Sequence, residues 1–459
     1  MIFSFFVAFS LLFVTPHDQE YSEVEGRWSG HILIAGQELV IQVLFSYSDG
    51  ELDGLLDIPE QSAFNLPVEV LRADSEALHF QFQTGTGPAL FRGSWNREEQ
   101  TITGDFEQLG QQFPFRLRKQ SAVASGTPDH EIDLLIPTRS GQVSGSLLLR
   151  PEAAPLVILI TGSGSQDRDE TIAGFRVFQT LATGLYESGY SSFRYDDRGV
   201  GRSRGSRDAT LQDLAEDLKD ISEYLTTEYG DSIAGMIWLG HSQGGLVASI
   251  AAEESAPDAI VFMATPFLRG DKVINDQIRV LSANQGISEQ VMLTNLEFQE
   301  RIYKVVRTGS GWSDVEDELA FRLREQLSQL PQTQRDALGE MNEFIQSQVR
   351  RQLSSARSNW FKSFIEYEPA EGLKGLEIPL LALFGSKDTQ VSAEANQSEA
   401  VRIASDSELT MDVRVFEGAN HLFQQANTGM PGEYGMLDRS FDPGFIPLMV
   451  TWLNQLENL

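Results

Sequence analysis

Between Gly26 and Lys119 the chain reads in short bursts of alternating apolar and polar positions, among them HILIAGQELVIQVLF, ALHFQF, ALFRGSW and FPFRLR, each broken by turn residues. Leu78, Phe80 and Phe82 fall on one face of their segment, as do Phe91, Gly93 and Trp95, and again Phe113, Phe115 and Leu117. That period of two marks half-buried strands. About eight such strands fit here, enough for a small antiparallel all-β barrel or sandwich over residues 21–120. Small residues, SAVASGTPD, then predict a linker at 121–130.

Past the linker the apolar runs become continuous and alternate with stretches of helical period. DLLIPT and VSGSLLLR read as an opening hairpin, and PLVILIT, SSFRYD, MIWLG, AIVFMA, PLLALFG and DVRVFE as buried strands. Helical segments such as FRVFQTLATGLYESG and LQDLAEDLKDISEYLTTEYG separate most of them. Strands alternating with helices predict an α/β unit over 131–459, with a mainly parallel sheet wound on both faces. The alternation stops at about 266–369, where charged, helical sequence carries no strand pattern. An insertion of that kind between two sheet strands predicts a helical lid over the strand ends. Among its aromatic residues, Trp312, Phe321 and Tyr367 serve packing as readily as binding, and Trp360, Phe361 and Phe364 are the candidates for a substrate pocket.

Composition narrows the partners. With 35 Lys and Arg against 66 Asp and Glu, the net charge of -31 repels phosphate backbones, which argues against nucleic acid. There is no cysteine, so disulfides, thiolate metal sites, a cysteine nucleophile and a lipid-bearing N-terminal cysteine are all excluded. The mostly apolar run from Ile2 to Val14 is short for a spanning helix and suits the core of a signal peptide. Residues 1–20 therefore predict export to the periplasm or beyond, with an uncleaved membrane anchor as the alternative, since neither a preceding Lys or Arg nor a small-residue cleavage site is present.

The chemistry is carried by LGHSQGG, residues 239–245, which places a polar triplet fenced by glycines where a buried strand turns into a helix. That is the setting of a nucleophile elbow with Ser242 at its tip, and a helix-capping serine is the plainer alternative. A second G-x-S-x-G around Ser203 follows two Asp and an Arg in what reads as a surface loop. The run Asp196 to Ser203 itself predicts a loop locked by carboxylate–guanidinium pairs. A serine hydroxyl needs a base, and the base needs an orienting group. His17 lies in the leader, His31 and His79 in the β domain, His130 at the linker, and His241 inside the elbow pointing away from its tip. His421 remains, after the last strand. Asp388 follows the preceding strand, giving the order Ser242, Asp388, His421, with Asp271 as fallback acid. For the oxyanion, the backbone N–H of Gln243 is one expected donor, and Ser163 N–H in the turn Gly162-Ser163-Gly164 the other, Gly162 being the neighbouring alternative. That turn lacks the Gly-Lys-Ser/Thr ending of a P-loop and the third glycine of a dinucleotide fingerprint.

Taken in order, TGSGSQDRDE, YDDRGVGRS, GHSQGG, GSKDTQV and NHLF resemble the EstD-like branch of bacterial α/β-hydrolase carboxylesterases, across nearly the whole chain after the leader. The resemblance implies a β domain ahead of an α/β-hydrolase, the same three residues as catalytic triad, an ester as small-molecule substrate, and neither metal nor cofactor. One departure is Gln243, where that branch often carries Glu. A serine aminopeptidase or related peptidase on the same fold, and a non-catalytic binding protein on a hydrolase scaffold, remain the alternatives.

Overall fold

The computed structural model describes residues 24–456, apart from 35–36, 49–50, 59–62, 75, 85–86, 109, 120–130 and, within 330–339, all but 332 and 335. The leader and the linker lie outside the described residues, as do His17 and His130. Among the described residues no helix is long and apolar enough to cross a membrane. The chain divides into two compact units, Met1–Val123 and Ala124–Leu459.

In the first unit, eight consecutive strands from β1 (Gly26–Ile34) to β8 (Gln111–Lys119) pair antiparallel with their neighbours. β1 also pairs with β8, from Trp28 opposite Lys119 to Ile32 opposite Phe115, so the sheet closes on itself as a barrel rather than a sandwich. The alternating positions supply its filling. Leu78, Phe80, Phe82, Phe91, Phe115 and Leu117 all enter one buried cluster with Trp28 and Phe45. Phe80 stacks on Phe91 at 4.4 Å between ring centroids, so the interior is packed with side chains.

The second unit opens with the hairpin β9 (Glu131–Thr138) and β10 (Gly141–Leu148), followed by β11 (Ala154–Ile160). A two-strand ribbon not legible in the sequence, β12 (Thr171–Ile172) with β13 (Phe175–Arg176), precedes β14 (Ser191–Tyr195). β15 (Ile233–His241), β16 (Ala259–Met263), β17 (Leu380–Gly385) and β18 (Met411–Phe416) complete an eight-stranded sheet in the order β18-β17-β16-β15-β11-β14-β10-β9. The six strands from β18 to β14 are mutually parallel, and β10 runs antiparallel to β14 and β9.

Continuous apolar runs are what a sheet covered on both faces requires. Along β11, Leu156, Ile158 and Ile160 face one core and Val157 and Leu159 the other. β17 repeats the split, with Leu380, Ala382 and Phe384 on the first side and Leu381 and Leu383 on the second. Helices α1 (Val177–Glu187) and α10 (Phe445–Leu453) cover the second side, and α2 (Leu211–Tyr229) and α3 (Gln243–Ala252) the first. Thr210 caps α2 by accepting from Asp213 N, and the Asp213 side chain accepts in return from Thr210 N.

Between β16 and β17 the chain is helical, as its sequence predicts. α4 (Gly270–Asn284), α5 (Glu289–Thr308), α6 (Trp312–Ser328), α7 (Met341–Ser354), α8 (Asn359–Glu366) and α9 (Pro369–Leu373) occupy the insertion. It has a core of its own around Tyr303, Ile345, Val349 and Ile365.

Candidate active site

β11 lies between β14 and β15, so the chain leaves β11 toward one side while β15 occupies the other, and the loops after β11 and β15 part at the carboxyl edge. That is where open α/β sheets hold their ligands. Ser242 follows β15 with φ 52 and ψ -121, a backbone that L-residues seldom adopt. Its neighbours in the motif explain the fencing glycines. A Cβ on Gly240 would lie 2.3 Å from Gly244 C and Gly245 N, and one on Gly244 would lie 2.2 Å from Ile160 O. The turn is therefore pressed against itself and against the end of β11. Ser242 occupies the capping position of α3 yet makes no side-chain cap bond, so the plainer reading of a capping serine fails. It lines a cavity instead.

The candidate acid and the candidate histidine are bonded. His421 Nδ1 and Asp388 Oδ2 stand 2.6 Å apart, with the Asp388 side chain fully buried and that of His421 nearly so. Asp388 Oδ1 accepts from Gln390 N at 2.8 Å and Val391 N at 2.9 Å. The loops after β17 and β18 are stitched together, for Lys387 N donates to Ala419 O and Gly418 N donates to Ser386 Oγ, and within the second loop Asn420 Oδ1 accepts from Leu422 N and Gln424 N. Asp271, the fallback acid, is committed elsewhere, bonded to Arg269 and Arg307. Among the described residues no hydrogen bond joins Ser242 Oγ to His421; bonds of this kind tighten when substrate arrives.

Both candidate backbone donors border the same space, since Ser163 and Gln243 line the cavity beside Ser242. Gln243 opens α3, whose first N–H groups have no intrahelical partner. Gly162 N–H is taken, donating to Glu170 Oε1 at 2.7 Å, which leaves Ser163 N–H as the candidate donor of that turn. The turn is bracketed by Asp197, which accepts from Thr161 Oγ1 at 2.6 Å and Gln166 N at 2.8 Å. Desolvation pushes the Asp197 carboxyl up to about 7 despite those two bonds, and Glu170 and Asp196 nearby push the same way.

His241 does point away from the tip, and it is not idle. Its Nδ1 meets Glu170 Oε1 at 2.8 Å and its Nε2 meets the carbonyl of His421 at 3.1 Å. Burial opposes charge on this ring, but the Glu170 carboxylate and the two hydrogen bonds outweigh it and hold His241 above the usual histidine range. Glu170 was assigned no role from the sequence. Its only signal there was its place in the charged run DRDE, a few residues past a buried strand.

Other expectations are met in part. Asp196 does pair with a guanidinium, that of Arg168, and Arg198 pairs with Asp217. Ser203 is buried rather than on a surface loop, because its Oγ accepts from Ser144 N and donates to Asp196 O. Trp360, Phe361 and Phe364 all line the cavity, whereas Trp312, Phe321 and Tyr367 do not. Trp360 stacks on Phe364 at 5.5 Å and donates its indole N–H to Gln243 Oε1. The cavity, about 420 Å³, is lined by apolar side chains and by Gln243, Gln277, Gln299, Gln352 and Gln390. Among the described residues, none that lines it carries a formal charge.

Residues 173–311, which include the elbow and end within the helical insertion, match the family described as serine aminopeptidase, S33. Over 403 residues the chain is 24% identical to esterase EstD of Thermotoga maritima, covering 88% of this chain and 78% of that one. The chain has the fold of an α/β-hydrolase. Over a shorter stretch of 129 residues the hydrolase is 30% identical to 3-oxoadipate enol-lactonase 1 of Acinetobacter baylyi, which spans 27% of this chain and 45% of that one. Among solved structures, an esterase of Pyrococcus furiosus superposes on 71% of this hydrolase and 91% of its own chain, at 16% identity and a TM-score of 0.44. The strand order and the elbow, rather than that loose superposition, define the hydrolase's fold.

Proposed function

We propose that this hydrolase cleaves carboxylic esters of uncharged acids through an acyl-enzyme on Ser242. His421 takes the serine proton and returns it to the leaving alcohol, and Asp388 keeps the ring in the tautomer that leaves Nε2 free to accept. The oxygen of the attacked carbonyl gains charge and is held by the N–H groups of Ser163 and Gln243, which need no rearrangement to meet it. Water then repeats the attack on the acyl group by the same route.

The observation that carries the ester reading is the uncharged lining of the cavity beside Ser242. An aminopeptidase must bury the ammonium group of its substrate, and a buried cation without a counter-charge is strongly disfavoured. Glutamine amides and an aromatic wall suit a neutral acyl chain. The 24% identity to a protein named esterase, along 88% of this chain, supports the same reading. The peptidase reading draws on the description of the matched family.

The test is a panel of p-nitrophenyl esters of increasing acyl length beside aminoacyl arylamides, run on the wild type and on Ser242→Ala. Ester turnover that falls by about a millionfold in kcat in the variant is the expected outcome. Preferred turnover of the arylamides would overturn the ester reading, and a variant that keeps more than a few per cent of activity would overturn Ser242 as nucleophile.

A further inference from the structure

Two ionisable side chains are completely enclosed beside the site without lining its cavity, Glu170 at 0% exposure and His241 at 1%. Their protons can be placed from their partners. His241 Nε2 faces the carbonyl of His421, which only accepts, so Nε2 carries a hydrogen. Nδ1 faces Glu170 Oε1, the oxygen that also receives Gly162 N–H. A carboxylate there requires a second ring hydrogen, and the pair is an imidazolium against a carboxylate. Among the described residues Glu170 Oε2 has no hydrogen-bond partner, so the charge is enclosed with half its acceptor capacity unused by them. Glu170 also sits at φ 46, an unfavourable backbone for a glutamate. A buried ion pair with these two liabilities is a poor device for stability alone.

What the pair connects is the reacting geometry. Reading along the bonds, Gly162 N–H reaches Glu170, Glu170 reaches His241, and His241 reaches the carbonyl of His421. Those bonds join the loop after β11, the elbow after β15 and the loop after β18. Contact is close as well, for a Cβ added to Gly162 would stand 3.1 Å from Glu170 Oε1, 3.4 Å from Ser242 Cβ and 3.5 Å from His241 Nδ1. We infer that Glu170 and His241 are positioning residues, an enclosed ion pair that fixes the spacing between the oxyanion turn and the His421 loop about Ser242. This rests on the ester-hydrolase reading for its consequence in rate, though not for the existence of the ion pair.

Two variants of the full chain separate this role from packing. Glu170→Gln keeps the volume but cannot balance a doubly protonated ring, so one of the three linked bonds is lost. Glu170→Asp keeps the charge and accepts the left-handed backbone at least as well, but its carboxylate falls one methylene short. Each is expected to lower kcat on p-nitrophenyl butyrate by about a hundredfold, the scale of a 1 Å misplacement, with KM within about threefold because the cavity lining is untouched. Labelling by a fluorophosphonate is expected to slow in parallel. A purely structural role would lower the melting temperature and leave kcat per folded molecule unchanged. Folded variants that keep kcat within about threefold of the wild type, or that lose only in KM, overturn the positioning role.

Histidine 15N NMR of the wild type near neutral pH tests the pair without reference to activity. His241 is expected to show hydrogens on both ring nitrogens, and a ring with one hydrogen would overturn the inference. A wild type that cleaves no ester removes the functional reading while the ring protons still decide the pair.

Discussion

Replacing Asp388 by asparagine is expected to lower kcat by about 10⁴ while leaving the fold intact. The orientation of the new amide is dictated by what surrounds it. Asp388 Oδ1 accepts from two backbone N–H groups, Gln390 at 2.8 Å and Val391 at 2.9 Å, and these demand an oxygen. The amide NH₂ is thereby driven to the Oδ2 position, 2.6 Å from His421 Nδ1. A donor there requires Nδ1 to be bare, which moves the ring hydrogen to Nε2, the nitrogen that has to accept the serine proton. Each decade is about 1.36 kcal/mol, so the expected barrier increase is about 5.4 kcal/mol. All three contacts remain hydrogen bonds, and unfolding free energy should change by no more than about 2 kcal/mol. The assay is kcat and KM on p-nitrophenyl butyrate beside urea denaturation. Asp271→Asn is the matched control. That carboxylate lies between Arg269 and Arg307, 1% exposed, and losing its charge should cost about 3–5 kcal/mol of stability with little effect on kcat of the folded protein. An Asp388→Asn protein within tenfold of wild-type kcat would refute the reasoning, and the reverse pattern in the two variants would transfer the role to Asp271.

Two further outcomes follow from neighbouring groups. Gly244→Ala sets a methyl 2.2 Å from Ile160 O and 2.7 Å from Thr161 O, so the elbow must withdraw from the end of β11. Stability should fall by about 1–3 kcal/mol and kcat by about a hundredfold, as read by thermal melting and ester turnover; an active, fully stable variant would contradict the close approach. For Asp197, the folded carboxyl at about 7 lies above the unfolded value of roughly 3.9, so the folded state binds its proton more tightly. Its contribution to stability is complete below about pH 4 and is lost as pH rises to about 7, by up to about 1.4 kcal/mol per pH unit. Urea denaturation at pH 5 and pH 8 should show a larger loss in the wild type than in Asp197→Asn, and parallel losses would count against the shift.

Much of the hydrolase unit was legible because burial on both faces of a sheet writes continuous apolar runs. PLVILIT and PLLALFG became β11 and β17 with side chains divided between two cores. The elbow was legible because a turn so tight excludes Cβ atoms at Gly240 and Gly244, and exclusion of Cβ is visible in sequence. Asp388 and His421 could be picked out because each follows a strand ending at the same edge, and the structure has them bonded. Closure of the first unit was not legible, since a period of two fixes which side chains face inward but not whether β1 meets β8. What occupies Gly162 N–H, and so favours Ser163 over it as candidate donor, is the side chain of Glu170, eight residues downstream, which no local pattern reports. Ser203 was misplaced because flanking arginines suggested solvent, while the hydroxyl itself ties Ser144 to Asp196 in the interior.

The loop after β11 shows how the hydrolase holds a polar turn steady at an open sheet edge. Its consecutive charged residues each grip something different. Asp167 accepts from Thr171, Arg168 pairs with Asp196, Asp169 with Arg194 and Arg176, and Glu170 with His241. Enclosed pairs such as that of Arg194 resist screening by salt, whereas exposed ones such as Arg402 with Asp406 contribute little. Charge is thus concentrated in the walls of the site and on the surface and withheld from the cavity. With a net charge of -31, the surface attracts cations, but a cation that entered would meet amides and aromatic faces and no counter-charge. On the proposed ester reading, a neutral substrate gains nothing from the outer field and forfeits nothing on entry, so the division of charge between wall and cavity favours uncharged substrates before any chemistry begins.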